Sequence, residues 1–156
     1  MTASEQIKVG TELPRFEPGV ITRATLAMFG PASGDFHPAH LDIEAAQDLG
    51  MPDVFAHGML SMAYLGRLVA RWVDQRQIRS LQGRFTAITP IHARPMCTGK
   101  VTSIDDVDGE RRATIELAVT LEDGTTTIVG TSVVALMASS ASTREEVLPI
   151  KENSND

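Results

Sequence analysis

Between Ala32 and Asp42 the chain reads Ala-Ser-Gly-Asp-Phe-His-Pro-Ala-His-Leu-Asp, which sets two carboxylates, Asp35 and Asp42, among two imidazoles, His37 and His40. Gly34 and Pro38 keep such a stretch irregular, so its polar groups converge from a loop instead of spreading along a regular element. Asp35 and His40 stand five residues apart across a Pro-containing turn, a spacing that lets both act on one water. That is the raw material of general acid–base chemistry. Downstream, Phe55-Ala56-His57-Gly58-Met59 leads into the most hydrophobic helical stretch. The Gly58 N–H would lie where backbone donors lack intrahelical acceptors and the helix dipole favours negative charge, and the missing side chain would let a carbonyl approach.

Each of these residues also has an ordinary local use. Asp35 after Gly34 suits a turn, Asp42 suits a helix N-cap, His57 suits a structural hydrogen bond beside the helix start, and Gly58 suits the first turn itself. Asp35, His37, His40 and Asp42 are all metal-ligand types. The chain nevertheless lacks the Cys or His pairs of a structural zinc site, and catalytic zinc draws three protein ligands, so no metal is expected. His92, near Pro90 and Pro95 without companions, reads as a surface residue.

Elements must hold these groups in place. Leu13 to Val20 is extended but carries Pro14 and Pro18, as an edge strand tolerates. Thr22 can cap a short helix with Ile21 as a hydrophobic staple, ending near Gly30-Pro31. Asp42 heads a second helix, Ile43 to Leu49, stopped by Gly50 and Pro52. Residues 59–73 are apolar nearly all round, with Arg67, Arg71 and Asp74 on one stripe, which predicts a helix buried on most sides. Something must wrap it. Arg111 to Leu121 alternates with a period of two, Thr125 to Met137 is apolar on both faces, and Ser80 to Thr89 and Ala93 to Ser103 read as further strands. Asp108-Gly109 and Asp123-Gly124 supply the turns between strands. The expectation is an α+β domain, one helix against an antiparallel sheet.

A chain of 156 residues with formal net charge -6 suits one domain, with residues 9–138 as the folded unit, 1–8 as a flexible N-terminus and 139–156 as a disordered tail. Without a basic run to track a phosphate backbone, nucleic acid is not an expected partner. Cys97 is the lone cysteine, which forbids an intrachain disulfide and suits a reducing cytoplasm. The first twenty residues show no secretory pattern, and no apolar stretch approaches a bilayer span.

The loop resembles the hydratase motif of the MaoC-like (R)-specific enoyl-CoA hydratases and 3-hydroxyacyl dehydratases, roughly Ser-Gly-Asp-x-Asn-Pro-x-His. Ser33, Gly34, Asp35, Pro38 and His40 match it, and His37 stands where the family usually has Asn. The Ala56-His57-Gly58-Met59 stretch resembles the start of that family's central helix, and weaker likeness over Thr86–Pro90 and Val129–Val133 extends it to about residues 10 to 138. The resemblance implies a hot-dog fold, Asp35 and His40 as the catalytic pair, Gly58 as oxyanion donor, and Ser33, Gly34, His37, Pro38 and His57 as loop support. It implies syn hydration of a trans-2-enoyl thioester or the reverse dehydration, with coenzyme A or acyl carrier protein as part of the substrate and no separate cofactor. It also implies a substrate channel shared between subunits, most simply of a homodimer. A subunit of a heteromeric dehydratase and a non-catalytic acyl-thioester-binding module are the alternatives.

Overall fold

Residues 7–136 are described by the structure, a computed structural model. The expected tail, the last residues of the expected domain and most of the expected N-terminal arm lie outside the described residues. Four antiparallel strands, β1 (Ile78–Phe85), β2 (Met96–Val107), β3 (Glu110–Thr120) and β4 (Thr126–Ala135), form one sheet in the order β1-β4-β3-β2. The period of two along β3 sends Ala113, Ile115, Leu117 and Val119 inward, where they are buried. Against that face lies the helix Gly58–Trp72, preceded in the chain by Arg23–Ser33 and Ile43–Asp48. We call the three helices α1 (Arg23–Ser33), α2 (Ile43–Asp48) and α3 (Gly58–Trp72). Leu65, Leu68 and Val69 of α3 are fully or almost fully buried, and the helix touches all four strands. This is the α+β, hot-dog arrangement of a curved sheet around one helix.

Turn chemistry fixes the register. Asp108 and Gly109 both take positive φ, 54° and 78°, as a two-residue hairpin turn requires. At the next connection Asp123 Oδ1 accepts the Thr125 N–H at 2.8 Å and Gly124 takes φ 86°. Gly130 of β4 faces Gly83 of β1. A Cβ on Gly130 would run into the Gln82 carbonyl, so a glycine is required for the close approach of these strands.

Several expected boundaries move. The stretch Leu13 to Val20 is no regular strand. It meets the outer edge of β2 through isolated bridges, Glu12 with Lys100 and Phe16 with Cys97, because Pro14 and Pro18 cannot donate to a continuous ladder. α1 runs through Pro31 to Ser33, and Gly34 ends it in the left-handed region (φ 75°) with its N–H on the Gly30 carbonyl. β1 ends at Phe85 instead of Thr89, since Thr86 and Ala87 both turn their N–H groups to Thr127 O. β2 starts at Met96 instead of Ala93, after His92 has turned the chain with φ 69°. α3 is less enclosed than its composition predicts: Met59, Ala63, Arg67 and Arg71, four residues apart in turn, form an exposed stripe. The free edge of β1 leaves Phe85 half exposed. Cys97 is buried, which pushes its thiol up to about 12.

Candidate active site

The loop after α1 is built from short polar contacts. Ser33 Oγ donates to the Phe29 carbonyl at 2.8 Å and accepts the Asp35 N–H at 3.3 Å, so one hydroxyl ties the end of the helix to the loop. The left-handed Gly34 reverses the chain, and Asp35 Oδ1 then accepts the His37 N–H at 3.2 Å. His37 caps a single 3-10 turn, Pro38–His40, with its Nδ1 accepting the Ala39 N–H at 3.3 Å. An imidazole can do this only with the proton on Nε2. Pro38 opens the turn, where its missing N–H costs nothing. The turn carries His40 inward while Asp35 stays near the surface, their side chains 10% and 43% exposed.

His40 Nδ1 lies 2.8 Å from the Phe55 carbonyl. A carbonyl only accepts, so Nδ1 carries a proton, and in the neutral ring Nε2 is left with its lone pair. That nitrogen faces Asp35 Oδ2 at 3.9 Å, too far for a direct hydrogen bond. Behind His40 lies His57, fully buried, its ring stacked on that of His40 with centroids 3.9 Å apart and planes at 29°. His57 Nε2 lies 3.2 Å from the Asp35 carbonyl and donates to it, while Nδ1 is buried with no partner. Burial first, and the neighbouring His40 second, push the His57 pKa below 6.5. Phe29 meets the His57 ring edge-on at 5.2 Å and Phe55 meets His40 likewise at 4.9 Å.

Gly58 begins α3 directly after His57, so its N–H is one of the donors without an intrahelical acceptor. It borders a hollow of about 120 Å³ with Phe55, Ser61, Phe85, Thr89 and Ile128. A Cβ on Gly58 would come within 3.1 Å of Phe85 Cε1. Ser61 and Thr89, both buried, share a hydrogen bond at 3.3 Å in this hollow. A larger hollow, about 850 Å³, lies instead on the sheet, bounded among others by Gln82, Lys100, Glu116 and Thr131. Neither hollow is lined by a histidine, but the smaller one adjoins the acid–base groups through Phe55, whose carbonyl holds His40, and Gly58, which follows His57.

The motif residues thus come together, and the rest of the candidates do not. Asp42 caps α2 by accepting the Glu44 N–H at 2.9 Å, its expected local role. His92 is exposed. Sequence reasoning assigned His57 a hydrogen bond at the helix start, and it makes one, but the stacking on His40 carried no sequence signal. Ser61 could have been found, being one helical turn beyond Gly58 on the same side. Asp35, His40 and His57 offer ligand atoms within 4.8 Å of one another. Stacking holds the in-plane lone pairs of His40 and His57 in two nearly parallel planes, ring centroids 3.9 Å apart, which suits convergence on one tetrahedral ion poorly.

The imidazole of His40, with one nitrogen on a carbonyl and the other facing a carboxylate, thus lies near the N-terminal end of the helix of a hot-dog scaffold. The MaoC like domain model matches residues 5–123, and the chain belongs to that family. It is 28% identical over 115 residues to the 3-hydroxyacyl-thioester dehydratase Z of Mycobacterium tuberculosis, covering 65% of this chain and 72% of that one. Among solved structures it is similar in fold to an (R)-hydratase from A. caviae involved in PHA biosynthesis, with TM-score 0.74, 22% identity, and 85% and 99% of the two chains covered. The ChsH1-ChsH2 complex from Mycobacterium tuberculosis gives TM-score 0.74 at 20% identity, covering 85% of this chain and 100% of the other. No helix among the described residues is long and apolar enough to cross a membrane.

Proposed function

We propose that the protein is a hydro-lyase that adds water across a trans-2-enoyl thioester to give an (R)-3-hydroxyacyl thioester, or removes it in reverse. One observation carries this reading. His40 Nε2 and Asp35 Oδ2 are both acceptors and face each other at 3.9 Å, a separation that one water bridges by donating an O–H to each. Its oxygen is then left with a lone pair for C3 of the substrate. As the C3–O bond forms, His40 or Asp35 takes one water proton and hands that same proton to C2 on the same face, while the oxygen keeps the other as the C3 hydroxyl, which makes the addition syn. The thioester oxygen gains negative charge in this step. The Gly58 N–H, at the positive end of α3, is the donor that meets it. Asp35 and His40 are the catalytic residues, and Ser33, Gly34, His37, Pro38 and His57 hold them. The chemistry requires no metal or redox cofactor.

The working unit is a homodimer. Met59 and Phe85 flank Gly58 and are about half exposed, and Ile88 beside them is 47% exposed. The free edge of β1 offers unpaired backbone groups that a second sheet can meet. The test is a hydration assay on trans-2-enoyl-CoAs of graded length, without added metal, followed by loss of the conjugated enone absorbance, with light scattering on the same sample. Turnover by a dimer is expected. Tight acyl-CoA binding without turnover at any length would instead make the protein a thioester-binding module, and an inactive or insoluble chain would point to a missing partner subunit.

A further inference from the structure

Inside the hollow beside Gly58 lies a hydroxyl pair to which the hydration step above gives no task. Ser61 and Thr89 are both buried, and their oxygens stand 3.3 Å apart. The walls around them are mainly apolar, with Phe55, Ala56, Phe85 and Ile128. Hydroxyls buried in such a setting are unfavourable unless their protons find acceptors.

The protons of the pair do not balance within the chain. Two hydroxyls bring two protons, and the bond between them uses one. Neither oxygen has a further hydrogen-bond partner among the described residues, so one proton is left over. A helical serine often spends its proton on the carbonyl one turn back. Ser61 does not, and the His57 carbonyl there accepts the Leu60 N–H at 3.0 Å. Thr127, the remaining hydroxyl of the lining, donates to the Val119 carbonyl at 3.4 Å. A pin between α3 and the Thr89 segment would not call for the spare proton either, because the Thr89 carbonyl already holds the Ala56 N–H at 2.9 Å.

Ser61 follows Gly58 by three residues, which puts both on one face of α3, and helical side chains lean back toward the N-terminus. Its hydroxyl therefore approaches the first turn, where His57 provides no side-chain cap and backbone donors lack intrahelical acceptors. An oxygen that becomes an oxyanion has lone pairs for more than one donor, and a single backbone N–H meets only part of that demand. We propose that Ser61 is a second donor to the thioester oxygen, beside the Gly58 N–H. Thr89 is then the positioning residue, donating to Ser61 Oγ and turning the Ser61 proton into the hollow. A hydroxyl that accepts one hydrogen bond is the more polarised donor of the next. No proton is transferred here: Ser61 keeps its own throughout, and the bond strengthens only while the oxygen carries charge. The inference rests on a thioester occupying this site, as in the hydro-lyase reading.

The test reads the substrate's own spectrum, because a conjugated thioester absorbs at longer wavelength when donors polarise its carbonyl. Sorboyl-CoA, a conjugated dienoyl thioester, is titrated into the full chain carrying Asp35→Asn, which holds turnover back, with and without Ser61→Ala. A red shift is expected, and Ser61→Ala should remove about half of it, since the Gly58 N–H remains. With Asp35 in place, Ser61→Ala should lower kcat by about tenfold to a hundredfold with KM little changed, less than the loss of a sole donor. Ser61→Thr keeps a hydroxyl and should recover most of that loss. Thr89→Val keeps the shape and removes the orienting hydroxyl, and a fall in kcat of about threefold to tenfold is expected. An absent red shift, or one that Ser61→Ala keeps in full, overturns the proposal; a fall in kcat with the shift intact reduces the pair to a structural pin. The spectral arm requires binding but no turnover. A parent chain that shows the Ser61-dependent shift yet hydrates no enoyl thioester would end the hydro-lyase reading and leave the second donor standing.

Discussion

The two ends of α3 handle charge in opposite ways. At the N-terminal end the field comes from backbone N–H groups, and the side chains around Gly58 are imidazoles and one carboxylate held by the carbonyls of Phe55 and Asp35 and by the His37 N–H. At the C-terminal end the backbone field is negative, and Arg67 and Arg71 overlay it with permanent charge. Proton transfer needs groups that change charge during the reaction, whereas Arg67 and Arg71, set over the Phe16 ring, keep theirs. A guanidinium keeps its protons at any working pH and would serve poorly as a base. The helix keeps the two kinds of group apart by roughly 14 Å along its axis between Gly58 and Arg67, at about 1.5 Å per residue.

The comparison is broken most severely at the reactive end. Asp35→Asn and His40→Ala are each expected to lower turnover by about two to four orders of magnitude with the fold intact, the usual range for a positioned acid or base. In the proposed mechanism both act on one water, so the double variant should be little slower than the worse single one. Losses that multiply in steady-state kinetics would mean two independent roles and would remove the shared-water mechanism.

His57 sharpens the comparison, because it is the group at this end that should not change charge. It touches both members of the pair, stacking on the His40 ring and donating to the Asp35 carbonyl. Displacing reacting groups by about 1 Å costs on the order of 10²-fold, and a loss of about that size in kcat is expected for His57→Asn. A second readout separates this residue from mere packing. The folded chain binds a proton at His57 more weakly than the unfolded chain, since burial lowers the pKa below 6.5. Stability is therefore full above about 6.5 and declines as pH falls through the folded value. Denaturant midpoints of His57→Asn should lose that part of the acid-side decline, and an unchanged pH profile would show that the imidazole is not the titrating group.

A smaller effect is expected at Gly58. Alanine there keeps the N–H but brings a methyl group within 3.1 Å of Phe85 Cε1, so Phe85 must shift and the approach to the donor narrows. A fall of about tenfold in kcat/KM, borne by KM more than kcat, is expected for Gly58→Ala, less than the 10²–10³ for deleting a donor outright. Phe85→Ala in the same chain should restore much of it. Failure of that rescue would show that the methyl group obstructs the substrate itself.

How far this site was legible depends on whether each feature is local. Turn and cap chemistry is written in adjacent residues, so Thr22, Asp42, Asp108-Gly109 and Asp123-Gly124 do what their types predict. The period of two placed β3 within a residue of its ends, because one of its faces is buried and the other is not. Boundaries that depend on distant partners moved: Thr86 and Ala87 leave β1 for a carbonyl forty residues on, and Pro31 is carried inside α1 because the stop lies at Gly34. The site divides in the same way. Ser33, Gly34, Asp35, His37 and His40 were readable as one motif, whereas the stacking of His57 on His40 joins residues seventeen apart that only the packed loop brings face to face. The Arg15, Phe16, Arg67 and Trp72 neighbourhood is more remote still: the stripe carrying Arg67 and Arg71 was readable from helical spacing, but its meeting with Phe16 of the N-terminal segment was not.

The least effect is expected where this chain departs from its family's motif. His37 is exposed, and its one recorded side-chain hydrogen bond is Nδ1 accepting the Ala39 N–H at 3.3 Å. An asparagine carbonyl oxygen can take that place without a choice of tautomer, since Asn is among the preferred capping residues. His37→Asn is therefore expected to turn over within about twofold of the parent, because the Pro38–His40 turn keeps its cap and His40 keeps its bond to Phe55. His37→Ala leaves the Ala39 N–H without its acceptor, at a cost of about 1 kcal/mol in stability, read as a lower denaturant midpoint. Its kcat should fall only as far as the turn loosens. The ring of His37 does stand edge-on to that of His40, with centroids 5.9 Å apart, close enough for a water to pass a proton between them. Parallel kcat measurements on His37→Asn, His37→Ala and His40→Ala decide between these roles. If His37→Asn loses activity as completely as His40→Ala, the exposed imidazole belongs to the proton-transfer apparatus, and the reactive end of α3 uses three titrating groups instead of two.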